Sequence, residues 1–108
     1  MKEGGRRRHP EPPTLEQTLC TLRAHLPELR ERYGVKSLAA FGSYVSGERH
    51  RGSDLDLLVE FTAPPTLFGF VELQEHLRGL LGIRVDLVMK SALRPGVGDR
   101  ILAQAVPV

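Results

Sequence analysis

A chain of 108 residues, 41% hydrophobic and 26% charged, has the make-up of one small globular domain built on a single core. The formal net charge of +2 gives no broad basic field, which argues against a dedicated nucleic-acid binder, and no apolar run approaches the roughly 20 residues of a membrane span. A single cysteine, Cys20, excludes an internal disulfide and a thiolate metal cage.

Residues 1–13 carry Lys2, Arg6, Arg7 and Arg8 among glycines and prolines with no apolar stretch behind them. They read as a solvated basic tail rather than a secretory signal, leaving 14–108 as the folded domain of a cytoplasmic protein. Thr14 with Gln17 makes a capping-box start. Leu15, Leu19, Leu22, Leu26, Leu29 and Tyr33 then recur at steps of four and three, one face of a helix that Gly34 closes. Pro27 predicts either a kink or a second short helix beginning there. Cys20, beside the stripe, is expected to pack as a small buried residue, and His25 to lie at the surface without a ligand role.

Residues 35–41 form a first apolar strand that meets Gly42-Ser43. Gly42 permits close backbone approach or a conformation closed to other residues, and Ser43 is expected to cap a short helix over 44–48, whose start suits a phosphate oxygen. The charged loop 48–52 offers His50 or Arg51 as a contact for a substrate phosphate; exposed loop charges more often meet only water. Residues 54–61 form a second strand in which Leu55, Leu57, Val59 and Phe61 share one pleat face while Asp54 and Asp56 project from the other. Side chains two apart on a strand begin about 6.5 Å from each other, close enough to converge on one cation or on two.

Thr66 caps a helix carrying Leu67, Phe70, Val71, Leu77, Leu80 and Leu81, stopped by Gly82 and read as a crossover between strands. In the third strand, 83–89, Ile83, Val85, Leu87 and Met89 face the core and Arg84, Asp86 and Val88 face away. A parallel third strand sets Asp86 beside Asp54 and Asp56, three carboxylates whose repulsion a divalent metal relieves. Each aspartate alone has a plainer explanation: Asp54 ending the loop, Asp56 pairing with Arg84, Asp86 guarding a sheet edge. A last helix over about 95–105 is expected to turn Val97, Ile101, Leu102 and Ala105 inward. The fold class that follows is α/β of the α+β type, a small mixed sheet with flanking helices.

Gly42-Ser43, the segment Ser53-Asp54-Leu55-Asp56 and Asp86 within Val85-Asp86-Leu87-Val88 together resemble the minimal nucleotidyltransferases of the DNA polymerase β-like superfamily, from roughly Leu22 to the C-terminus. The resemblance implies a palm-like nucleotidyltransferase fold and a nucleoside triphosphate, ATP, held by Gly42, Ser43 and Ser53. It also implies two Mg2+ ions on Asp54, Asp56 and Asp86, which are then the catalytic residues. Many such proteins resemble antitoxins that silence a small helical HEPN-domain ribonuclease toxin by adding AMP to a tyrosine, which implies that partner, in a hetero-oligomer or beside a homo-oligomer. Occlusion of the toxin without catalysis, and adenylylation of a small-molecule hydroxyl, are the alternative readings. The chain departs from the family at Ser46, where a basic residue is common; without charge there, a triphosphate contact is lost or passes to Arg49 or Arg51.

Overall fold

The computed structural model describes residues 13–47 and 54–108. Expectations for the basic tail of residues 1–12 and for Glu48, Arg49, His50, Arg51 and Ser53 lie outside the described residues.

The first helix, α1 (Leu15–Tyr33), starts at the expected capping box: Thr14 Oγ1 accepts the Gln17 N–H at 3.1 Å and Gln17 Oε1 accepts the Thr14 N–H at 2.9 Å. It runs through Pro27 as one helix and ends at Gly34, whose left-handed backbone, φ 72°, closes the last turn onto Arg30. Leu22 and Leu29 are fully buried and Leu15, Leu26 and Tyr33 partly so, as the stripe requires. Cys20 is exposed instead of packed, and Thr18 takes the inward place. At about 100° per residue Thr18 lies on the flank of the leucine stripe, whereas Cys20 is turned well past its other edge. His25 is half-buried and its Nδ1 donates to the Thr21 carbonyl at 2.9 Å.

The strands β1 (Val35–Phe41), β2 (Leu55–Phe61), β3 (Val85–Met89) and β4 (Val106–Pro107) form one sheet in the order β3-β2-β1-β4. β1 is antiparallel to β2 and β4, and β2 is parallel to β3. The parallel step is carried by α3 (Leu67–Leu81), which Thr66 caps by accepting the Gly69 N–H at 3.0 Å. The sheet is therefore mixed, as expected, with β2 and β3 each starting one or two residues later than the sequence pattern suggested.

Leu55, Leu57 and Val59 of β2, Val85 and Leu87 of β3, and Val35, Leu38 and Ala40 of β1 join Leu22, Leu29, Leu73 and Leu77 of the two long helices in one core. An irregularity in the β1–β2 register between Val35 and Ser37 adds the residue that lets Val35 and Leu38, three apart, both face inward. Each fully buried leucine contributes about 1.5–3 kcal/mol, and a one-residue slip of β2 would send Leu55, Leu57 and Val59 to the wrong face. The core thus fixes the register of the strands that carry the aspartates.

After β3 a 3₁₀ turn (Lys90–Ala92) packs against β2 and leads to α4 (Val97–Gln104), shorter than expected. Ile101 and Ala105 are half-buried as expected, but Val97 and Leu102 are exposed. The helix is seated instead on Gly98, which is buried and has room for no side chain: a Cβ there would stand 2.8 Å from Leu93 Cβ. Gly98, Ile101 and Ala105 share one face, and the close approach at Gly98 selects it over the face of Val97. Among the described residues no helix is long and apolar enough to cross a membrane.

Candidate active site

β1 runs antiparallel to β2 and β3 runs parallel to it, so the end of β1 and the starts of β2 and β3 meet at one end of the sheet. In register, Phe41 lies opposite Asp56 and Asp56 lies opposite Asp86. The chain therefore brings Gly42, Asp56 and Asp86 together from three separate segments.

Gly42 has φ 82° and ψ −150°, a backbone region essentially reserved for glycine, and a Cβ built on it would collide with Asp56 Oδ2. Its carbonyl accepts the amides of Val45 and Ser46, each at 3.0 Å, which winds the single-turn helix α2 (Ser43–Ser46). Ser43 is the first residue of that helix and not its cap: Gly42 takes the cap position, because only glycine tolerates both the dihedral and the contact. Ser43 and Ser46 are bonded to each other, Ser46 Oγ donating to the Ser43 carbonyl at 3.3 Å. Tyr44 is buried beneath the turn, a support that the sequence pattern did not single out.

The three aspartates differ in surroundings. Asp56 is half-buried, and its carboxyl is pushed up to about 6, first by burial and then by the charges of Asp86 and Asp54. Asp54 precedes β2, is exposed, and its Oδ1 lies 3.4 Å from Arg84 Nε. Arg84 thus pairs with Asp54 and not with Asp56; both partners are well exposed, so the pair is worth at most about 1 kcal/mol. Asp86 is exposed on the edge strand β3. The carboxylate face is not open throughout, because Leu58, two residues beyond Asp56, is buried.

Among the described residues no three His, Cys, Asp or Glu side chains are already gathered into a cage for an ion. The donor set nevertheless fits a hard divalent cation such as Mg2+: oxygen ligands only, with a half-buried carboxylate whose pKa is raised by burial and then by its like-charged neighbours. Asp56 and Asp86 are set side by side by the strands, and Asp54 has only a weak surface pair to leave. A separate cleft of about 660 Å3, lined by Arg32, Tyr33, Thr66, Glu72 and His76 among others, lies between the end of α1 and the start of α3. It contains none of the aspartates, although His76 Nε2 is buried there without a partner among the described residues.

With this geometry in hand, likeness to known proteins is informative. Residues 22–107 match the family described as the nucleotidyltransferase domain. The chain belongs to that family. Protein adenylyltransferase MntA of Thermococcus cleftensis is 52% identical over 95 residues, which cover 88% of this chain and 96% of that protein. A solved structure described as a minimal nucleotidyltransferase aligns with a TM-score of 0.74 at 40% identity, over 89% of this chain and 97% of that one. A toxin–antitoxin structure solved with AMP-PNP contains a chain that aligns with a TM-score of 0.63 at 26% identity, over 86% of this chain and 71% of that one. The mixed sheet with flanking helices is accordingly the nucleotidyltransferase fold.

Two outcomes test the site of this nucleotidyltransferase domain. Gly42→Ala forces a methyl against Asp56 at a strained dihedral and is expected to cost about 1–3 kcal/mol, read as a lower melting temperature. The folded protein holds the Asp56 proton more tightly than the unfolded chain, whose aspartates titrate near ~3.9. In EDTA the wild type should therefore be most favoured below about pH 4 and lose that stabilisation as pH rises through about 6. Asp56→Asn should then melt above the wild type at pH 7, with the difference closing towards pH 4.

Proposed function

We propose that this protein transfers AMP from ATP to a hydroxyl of a partner protein, a tyrosine of a small helical HEPN-type ribonuclease toxin, and so acts as a cytoplasmic antitoxin. The observation that carries the reading is the pairing of Asp56 with Asp86 beside the Gly42 turn. It is supported by the 52% identity to a protein named as a protein adenylyltransferase and by the likeness to a toxin–antitoxin chain solved with an ATP analogue.

Asp54, Asp56 and Asp86 would hold Mg2+, two ions as the resemblance implies, which when bound neutralises phosphate charge and lowers the pKa of the attacking hydroxyl. Gly42 brings backbone rather than side chain up to Asp56, leaving space for a phosphate chain beside the carboxylates, with Ser43 and Ser53 as further phosphate contacts. Asp86, exposed on the edge strand, is open to an incoming protein surface and would help hold the metal near the hydroxyl or take its proton. The hydroxyl oxygen bonds to the α-phosphorus of ATP, the bond from that phosphorus to the α–β bridging oxygen breaks, and pyrophosphate leaves with its electron pair. Positioning and charge neutralisation supply most of the catalysis, so a small domain suffices.

Ser46 favours a second reading. It stands uncharged where the family commonly carries a basic residue, and neutralisation by occlusion, with transfer weak or lost, needs no such charge.

Incubation with ATP, Mg2+ and the purified product of the neighbouring gene, followed by intact mass of both proteins, separates the two. The partner is expected to gain AMP, and Asp54→Asn/Asp56→Asn to abolish the gain and the neutralisation together. A double variant that still neutralises the partner, with no AMP added by the wild type, would establish occlusion.

A further inference from the structure

Among the described residues β3 is an edge strand, and its outward-facing backbone groups have no neighbouring strand to pair with. Two side chains of α3 supply partners to two of these groups. Gln74 Oε1 accepts the Leu87 N–H at 3.1 Å, and Arg78 donates from both Nε and Nη2 to the Val85 carbonyl, each at 3.2 Å. The guanidinium is itself steadied from its other side, where Nη1 donates to Glu75 at 3.1 Å. The two backbone groups belong to the peptide units immediately before and after the Asp86 Cα. On the inner side Asp86 pairs with Asp56 of β2. Both peptide planes that meet at Asp86 are thus anchored from α3 while the ladder anchors the strand from β2, and the direction of a strand residue's Cβ follows from those planes. Val85 and Leu87, whose side chains are 0% and 5% exposed, carry these bonds at the boundary of the core, where a lost partner is not freely replaced by water.

We infer that Gln74 and Arg78 are positioning residues for Asp86: α3 is not only the crossover between β2 and β3 but also aims the edge-strand carboxylate at the cation. This rests on the reading of Asp86 as a metal-holding residue, and it assigns work to two helix residues, four apart on one flank, that bond the backbone on either side of it.

The test is the affinity of the full-length protein for Mn2+ in the presence of AMP-PNP, followed by loss of the free-ion electron paramagnetic resonance signal, with melting curves taken alongside. Gln74→Leu, which removes the acceptor, is expected to weaken Mn2+ binding about tenfold, the usual scale for groups that orient a metal ligand. Gln74→Glu, which keeps it, is expected to bind close to wild type. Arg78→Ala should repeat the loss and Arg78→Lys partly restore it, so the inference does not hang on the folding of one variant. Asp86→Asn, run in parallel, separates the two layers: Mn2+ binding unchanged in it would overturn the reading of Asp86 and the inference with it. Weakened binding in Asp86→Asn, together with wild-type binding in Gln74→Leu and Arg78→Ala, would overturn the positioning role alone. Equal weakening in Gln74→Leu and Gln74→Glu would also overturn it, since the acceptor would then not matter.

Discussion

Parallel pairing of β2 with β3 sets Asp56 against Asp86, two like charges held side by side at one end of the sheet. Left alone the two strands would gain by separating these carboxylates; burial first raises the Asp56 pKa, and the charges of Asp86 and then Asp54 add to it. The strands stay in place because the opposite face of the same residues' neighbours is committed: Leu55, Leu57, Val85 and Leu87 are buried in the core, and a shift in register would expose them. Hydrophobic burial summed over several residues outweighs a repulsion that solvent partly screens. The core thus holds together two carboxylates whose charge a divalent cation would offset.

The remaining features of the site fit the proposed approach of a phosphate chain to that carboxylate pair. Gly42 turns the backbone away from β1 at a dihedral essentially reserved for glycine, and it does so against Asp56, so the turn after β1 and the half-buried carboxylate are parts of one contact. Asp54 is exposed and, among the described residues, is paired with Arg84 at the surface. Asp86 is the outermost, on an edge strand whose backbone is held by α3. In a member of the nucleotidyltransferase family, rigid inner groups and an exposed outer carboxylate suit transfer to an acceptor that arrives on another molecule's surface.

Much of this was legible in the sequence because its signals are local. The capping box at Thr14 and Gln17, the leucine spacing of α1, the glycine stops at Gly34 and Gly82, and the alternation at the start of β2 and of β3 each depend on near neighbours, and each is present, until Leu58 breaks the pattern in β2. The three aspartates stand out in the sequence for the same reason, by their place opposite an apolar pleat. What the sequence hid depends on contacts between distant segments. Cap assignment at Ser43 failed because the collision between Gly42 and Asp56 is a tertiary fact. The inward face of α4 was misread because a buried glycine against Leu93 outweighed two larger apolar residues. Gln74 and Arg78 read as ordinary polar residues on a helix until β3 is seen beside them, and the choice of Arg84 for Asp54 rather than Asp56 depends on where β2 begins.

The claim that the two paired strands create a site requiring a cation is tested most directly on Asp56 itself, by following its side-chain carboxyl carbon by NMR across pH, first in EDTA and then with Mg2+ and AMP-PNP. A midpoint near 6 without the cation, falling below the ordinary aspartate range when it is added, is the expected result. A midpoint at the ordinary value of about 3.9 in both conditions would mean that the carboxylates neither crowd one another nor meet a metal, and that the pairing of β2 and β3 serves the fold alone.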